Sequence, residues 1–402
     1  MGPRRDFWRF AWANGITQLG TQVTVVALPL TAVLTLQAGA FQLGVLSAVQ
    51  MAAFLVIGLP AGVWVDRWRR RPILVGADLV RGAALLTVPV AAWLGVLTMP
   101  HLYAVALVLG VGTVFFDVAQ MSLLPVIVPK ERLERANGRL EVTRQVSVLA
   151  GPGLGGWLVT GFTAPFALLA DAVAYLASGL LLAGVRAGER PAAPAGRGRW
   201  RAEAGEGIGF VVRDPVLRRV AIGGALTRVA LGVCAVGYPL YLVVDLGLDA
   251  TRYGLLLSAS AVGALAGAVV AARVAARHGL GPTLYGSALL TAALQLPALA
   301  TGPGWRLLAF PAASALAAAA GTVFNVAQLS YRQRVTPERL LGRVNASMRF
   351  LMWGAMPLGG LAGGLLGEWL GGYGAFAAGV ATLGLSYLAV ITAPRLSRTR
   401  SG

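Results

Sequence analysis

The sequence predicts an all-α integral membrane protein of twelve transmembrane helices, arranged as two pseudo-symmetric six-helix bundles. Three observations predict it: an apolar, weakly charged composition, basic residues confined to alternate loops, and a stretch of the first half that recurs in the second. Of the 402 residues, 57% are hydrophobic and only 12% are charged, and the mean hydropathy is +0.71. Soluble proteins keep about a quarter of their residues charged. Half that value places the chain in the membrane class.

A spanning helix needs about 20 mostly apolar residues. Twelve such windows can be drawn, at 10–34, 42–64, 73–94, 101–128, 140–160, 164–182, 217–243, 253–274, 280–299, 305–331, 346–369 and 374–392. The first opens with arginines before an apolar stretch, as a signal peptide does. The stretch runs on too far and lacks a small-residue cleavage site, so it reads as a retained helix. Residues 1–182 form the predicted N-terminal bundle and 217–402 the C-terminal one. Between them, 183–216 is a cytoplasmic linker that begins RAGERPAAPAGRGRW and continues EAGEGIGFVVRDPVLRR. The second part suits an amphipathic helix on an anionic inner leaflet.

Basic residues set the orientation. The N-terminus and every second loop hold Arg4, Arg5 and Arg9; Arg67 and Arg69 to Arg71; Lys130, Arg132, Arg135 and Arg139. The same side holds the eight arginines from Arg186 to Arg219, then Arg273 and Arg277, Arg332, Arg334, Arg339 and Arg343, and Arg395, Arg398 and Arg400. That is 28 of 34 basic residues. The opposite loops hold only Arg252 and Arg306. Positive loops face the cytoplasm, so both termini are expected there, in a bacterial cytoplasmic membrane.

The repeat is direct. The stretch that starts DVAQMSLLPVIVPKERLERANGRL at Asp117 aligns without a gap to NVAQLSYRQRVTPERLLGRVNASM at Asn325, at an offset of 208. Gln120 matches Gln328, Pro129 matches Pro337, Arg135 matches Arg343, and Gly155–Gly156 match Gly363–Gly364. Weaker echoes join helices 1 and 7, such as Pro29 with Pro239. Parallel six-helix repeats point to a rocking transporter with its site between the halves.

Other function classes are excluded by what the chain lacks. The formal charge of +18 lies in short loops with no basic face or recognition motif, so no nucleic-acid partner is expected. Lys130 has no glycine-rich cradle before it, which removes a P-loop ATPase. Cys234 permits no intramolecular disulfide, and His101 and His278 lack ligand spacing. No enzyme activity, metal or other cofactor is expected.

Two motifs and two longer runs carry a family resemblance. GVWVDRWRRR, Gly62 to Arg71, resembles the loop signature of the major facilitator superfamily, with Arg69 where a second glycine is usual. GPGLGG, Gly151 to Gly156, is similar to the superfamily's antiporter motif through Gly151, Pro152, Gly155 and Gly156. The runs LPVIVPKERLERANG and FALLADAVAYLASGLLL resemble the subgroup of enterobactin exporters and macrolide efflux proteins. The resemblance implies the major facilitator fold, alternating access and export. One departure is that helix 4 has Gly110 and Gly112 but not the buried arginine that drug:proton antiporters often carry before them.

The loop motif implies a cytoplasmic gate of Gly62, Asp66, Arg67, Arg70 and Arg71. Asp66 is placed to meet a neighbouring helix N-terminus, and the arginines to meet acids or lipid phosphates. The bland alternative is a basic loop that only sets topology. For the antiporter motif, tight helix packing stands beside a role in export.

Ionisable groups at membrane depth are functional candidates. Asp117 is the first choice for exchanging a proton and Asp171 its competitor, although Asp171 lies outside the usual cavity helices. Asp78 and Glu141 rank lower, because Arg81 and Arg144 follow each by three residues and predict ion pairs. Candidates for a substrate cavity are Asn14, Thr17, Gln18 and Thr21 in helix 1, Gln120 in helix 4, and Arg228 and Tyr238 in helix 7. Asn325, Gln328 and Trp353 add to them. Asp117 and Arg228 have a plainer alternative as partners in cross-helix pairs, for instance Asp117 with Arg144. Mixed amides, hydroxyls and aromatics suit a small amphipathic organic molecule. The expected protein is a monomeric exporter of such molecules in contact with membrane lipid, with a proton as coupling ion. A nutrient importer of the same fold is the alternative.

Overall fold

In a computed structural model that describes residues 3–186 and 199–392, every regular element among the described residues is helical. Helix α1, Pro3–Leu30, runs into a π-helical turn at Thr31–Thr35. It is followed by α2 (Ala40–Arg67), α3 (Arg70–Trp93), α4 (Met99–Ile127), α5 (Leu133–Phe162) and α6 (Ala164–Ala183). The linker supplies α7, Arg199–Arg213. Helix α8, Pro215–Tyr238, runs into a second π-helical segment at Pro239–Asp245. Then come α9 (Ala250–His278), α10 (Leu280–Gln295), α11 (Ala309–Val335), α12 (Leu341–Trp353) and α13 (Met356–Ile391).

Local chemistry places the helix ends. The Asp214 carboxylate accepts from the backbone N–H groups of Val216, at 2.9 Å, and Leu217, at 2.7 Å. Pro215 follows it in the first turn, where a missing N–H costs nothing. Prolines open α4 and α6 in the same way. The carbonyls that end α6 are met by arginines. Arg71 donates to Leu182 O, at 3.2 Å, and to Ala183 O, and Arg9 donates to Gly184 O. Cations there satisfy orphan acceptors and oppose the negative end of the helix dipole.

Ten segments are long and apolar enough to cross a membrane. Helix α5 is not among them, because its first turns are charged and its second half is rich in glycine. The segment Glu338–Ile391, 54 residues long, counts once although its helix is broken at Gly371, whose φ is 75°.

The chain divides into two compact units, one of Met1–Ala195 with Leu242–Ser258, the other of Gly196–Tyr241 with Ala259–Gly402. In the first, α1 packs on α5 and α6, α3 on α4 and α6, and α2 on α4. In the second, α8 packs along α13, and α10 on α11 and α13. The two units repeat each other in detail. A Cβ on Gly155 would stand 3.1 Å from Val23 Cα, and one on Gly363 would stand 2.8 Å from Val233 Cα. The first pair holds α5 against α1 and the second holds α13 against α8, where small residues let backbones approach.

Helix α7 belongs to the second unit. Val211 is buried in that unit's core, and Glu206 bridges Arg339, at 3.0 Å, and Arg343. One face of the linker helix is thus committed to protein.

Candidate functional site

Two polar pockets occupy the same place in the two units. The first, of about 480 Å³, lies among α1, α4 and α5 and is lined by Asn14, Gln18, Gln120, Asn137, Glu141 and Arg144. The second, of about 60 Å³, lies among α8, α11, α12 and α13, and its lining includes Thr227, Arg228, Asn325, Gln328, Met352 and Tyr387. Gln18 and Arg228, and Gln120 and Gln328, are repeat-related positions. Packing of equivalent helices therefore brings equivalent residues to equivalent pockets.

Of the cavity candidates, Asn14, Gln18 and Gln120 meet in the first pocket and Arg228, Asn325 and Gln328 in the second. The Arg228 guanidinium carbon lies 4.1 Å from the Trp353 ring centre, a cation–π distance. Asn14 Nδ2, Thr17 Oγ1, Arg228 Nε and Gln328 Oε1 are buried and make no hydrogen bond among the described residues. Buried donors and acceptors without partners are costly, and a polar ligand in the pockets would relieve those that line them. Tyr238 sits instead in an aromatic cluster, with ring centres 5.0 Å from Phe310 and 5.8 Å from Phe376. Thr21 bonds Tyr175 at 3.0 Å.

Both expected i, i+3 ion pairs form. Glu141 and Arg144 meet at 2.6 Å with roughly half of each side chain exposed, on the wall of the first pocket. Asp78 and Arg81 pair in full burial, inside a network that the sequence did not reveal. The Arg81 guanidinium also donates to Thr113 Oγ1 at 3.2 Å. It lies 4.3 Å from the Tyr175 ring centre and 4.6 Å from that of Phe116. Helix α6 adds Asp171, fully buried, which accepts from Thr24. Asp171 Oδ1 and Asp78 Oδ2 make no hydrogen bond among the described residues. Two carboxyls and one guanidinium are thus buried where α3 and α6 pack, and a proton on either carboxyl leaves the three groups neutral. Asp117 sits half-buried on α4.

The antiporter-motif residues divide between two faces of α5. Gly151 and Gly155 meet Gln22, Val23 and Val26 of α1. Pro152, Gly153 and Gly156 meet the start of α9, where a Cβ on Gly156 would stand 2.8 Å from the Ala250 carbonyl carbon. Thr160 and Thr251 join that contact with a hydrogen bond of 2.9 Å. Of the loop motif, Arg71 caps α6 as described, and Arg70 opens α3. Gly62 and the side chains of Asp66 and Arg67 lie outside the described residues.

The family profile described as Major Facilitator Superfamily matches residues 10–238 and 220–402. The chain is 28% identical over 397 residues to the multidrug efflux pump Tap of Mycolicibacterium fortuitum, which covers 94% of this chain and 93% of that one. Its identity to Tap of Mycobacterium tuberculosis is 29% over 407 residues, covering 96% and 92%. A shorter match, 28% over 148 residues and 37% of this chain, is to macrolide efflux protein A of Streptococcus pyogenes, of which it covers 36%. Among solved structures, an inward-facing bacterial homologue of the iron transporter ferroportin superposes with a TM-score of 0.76 at 20% identity, covering 97% of this chain and 99% of that one. The nucleoside transporter NupG superposes with a TM-score of 0.73 at 14% identity, covering 97% and 100%. At those identities the likeness is one of fold.

Proposed function

The chain belongs to the Major Facilitator Superfamily, and from that premise we propose that it is a secondary active exporter of small amphipathic organic molecules, working by alternating access with proton antiport. The observation that carries this reading is the pair of repeat-related pockets, which joins amides, a half-sheltered Glu141–Arg144 pair and a guanidinium on an indole. A pocket of about 480 Å³ is in the range of drug-sized ligand sites, about 300–1,000 Å³. The near full-length similarity to efflux pumps favours export. Pro152 and Gly156 tight against α9, with Gly151 and Gly155 tight against α1, support an antiporter assignment for the four residues.

In this reading twelve spans cross the membrane. The ten apolar segments are joined by α5, and Glu338–Ile391 counts twice because its chain turns at Gly371. Bundles 1–182 and 217–402 flank the 183–216 linker, and both termini face the cytoplasm of a monomer. Gly62, Asp66, Arg67, Arg70 and Arg71 serve as the cytoplasmic gate. The coupling proton resides on the Asp78–Arg81–Asp171 trio, since that is where a second carboxyl lacks a cation of its own.

The test is accumulation of a fluorescent amphipathic dye in bacterial cells stripped of their own efflux pumps. Cells expressing the chain should hold several-fold less dye, and collapsing the proton gradient should abolish the difference. Greater accumulation in expressing cells would indicate import and overturn the proposal.

A further inference from the structure

A further cavity of the first unit, about 880 Å³, is neither of the polar pockets. It opens where α1 begins, α4 ends and α5 begins. Arg5 and Trp8 line it from α1, Arg132 from the turn before α5, and Arg135 and Arg139 from α5. Arg135 and Arg139 lie at i and i+4, so they share one face of α5, and Arg132 ends the turn that leads into it. Buried Phe7, Ile127 and Ala136 supply an apolar floor. The Arg139 guanidinium stands 5.2 Å from the Trp8 ring centre. No acidic residue is among the described lining, and nearby Asp6 is turned to Arg9, at 3.9 Å. The guanidinium groups of Arg132, Arg135 and Arg139 around one cavity repel one another, and an anion there relieves the repulsion.

The internal repeat shows what such a surface holds. Arg135 corresponds to Arg343, and the α5 face of the cavity corresponds to the α12 face of the second unit. There Glu206 of α7 binds Arg343 and Arg339. A Cβ on Gly207 would stand 2.9 Å from the Arg343 carbonyl carbon and about as close to Ser347, the counterpart of Arg139. In the second unit the surface is filled by a carboxylate and the helix that carries it.

We propose that the corresponding cavity of the first unit binds the phosphate of an anionic phospholipid headgroup. The guanidinium fork matches phosphate oxygens in pairs. The cavity lies at the ends of α1 and α4, two of the segments apolar enough to span a membrane, so it sits at headgroup depth. Trp8, half exposed, and the apolar floor suit the glycerol and upper acyl carbons. Acidic lipids at that depth attract arginine clusters. The site does not depend on the direction or coupling of transport.

The test uses the delipidated full-length chain in mild detergent. Retention of phosphatidylglycerol is followed by native mass spectrometry, and the lipid's effect on Tm is measured in parallel. Phosphatidylglycerol should bind saturably and raise Tm, and phosphatidylcholine should do neither. Arg132→Gln, Arg135→Gln and Arg139→Gln combined should weaken phosphatidylglycerol binding about tenfold or more, the scale of a lost charge-assisted contact. These side chains are exposed. Should the triple variant nonetheless misfold, Arg135→Gln alone should weaken binding about threefold. Unchanged affinity in the folded variants, or equal binding of phosphatidylcholine, overturns the proposal. Inorganic phosphate reproducing the whole Tm shift with no lipid retained assigns the site to a free anion and overturns it too. So does a peptide with the sequence of α7, which carries Glu206, if it displaces the lipid.

Discussion

At Arg81 one guanidinium meets Asp78, Thr113 and the rings of Phe116 and Tyr175, while Asp171 is buried on the same helix as Tyr175. Removing one partner from a buried pair leaves an uncompensated charge, which costs about 3–5 kcal/mol. Asp78→Ala should therefore lower the thermal stability of the purified protein markedly, whereas Glu141→Ala, on an exposed pair worth about 0–1 kcal/mol, should barely move it. Asp171→Asn keeps an acceptor for Thr24 but cannot take up a proton. Efflux driven by a proton gradient should fall sharply in this variant while substrate exchange without a gradient survives. Asp117→Asn, assayed in the same two ways, decides between the candidates. If Asp117→Asn uncouples and Asp171→Asn does not, the trio is structural and Asp117 carries the proton.

The turns between helices carry the repeat further than the sequence alignment does. Positive φ occurs at Gln37, Gly95 and Thr163 in the first half and at Gly247, Gly304 and Gly371 in the second. These are three pairs offset by 208 to 210 residues. Glycine makes the reversal in both copies at Gly95 and Gly304, while glutamine or threonine makes it in one copy and glycine in the other at the remaining two. Gly279 has positive φ without such a counterpart. Thr163 has φ 69° and ψ 160°, a region almost reserved for glycine that costs other residues about 1–3 kcal/mol. Thr163→Gly should raise Tm by the equivalent of about 1 kcal/mol, and an unchanged or lowered Tm would show the strain to be compensated. A second prediction concerns α5 and α9. On Gly156 a Cβ would meet the backbone of Ala250, which cannot give way. On Gly153 the nearest atom, at 3.3 Å, is the end of the Leu255 side chain, which can. Gly156→Ala should therefore depress dye efflux severely and Gly153→Ala only slightly, at equal amounts in the membrane. Equal activity of the two would remove this contact from the transport cycle.

For the whole molecule the sharpest test is topology. Twelve spans with cytoplasmic termini require reporter fusions after residues 98 and 303 to read external, and those after 134 and 200 internal. A single reversed reporter would break the span count. The glycine-rich half of α5 is the element most exposed to this test, since its hydropathy is too low to mark it as a span. Its packing on α1 repeats that of Gly363 on α8, which supports counting it.

Several features were readable from the sequence because they rest on local or one-dimensional physics. Span lengths follow from bilayer thickness and the Asp78–Arg81 and Glu141–Arg144 pairs from helical spacing, while arginine placement predicts a sidedness that the reporter fusions test. The alignment of Gln120 with Gln328 likewise anticipates that equivalent groups reach equivalent pockets. The tertiary structure decided the rest, through contacts between residues far apart in the chain. Asp171 joins Asp78 and Arg81 only because α6 packs on α3, across 93 residues of sequence. Tyr238, polar at its tip, is drawn into an aromatic cluster by Phe310 and Phe376 from other helices. Arg135 and Arg343 are indistinguishable in the alignment, yet one lines an open cavity and the other is neutralised by Glu206. Residue type and spacing determine what a side chain can bind, but helix packing determines which partner stands within reach.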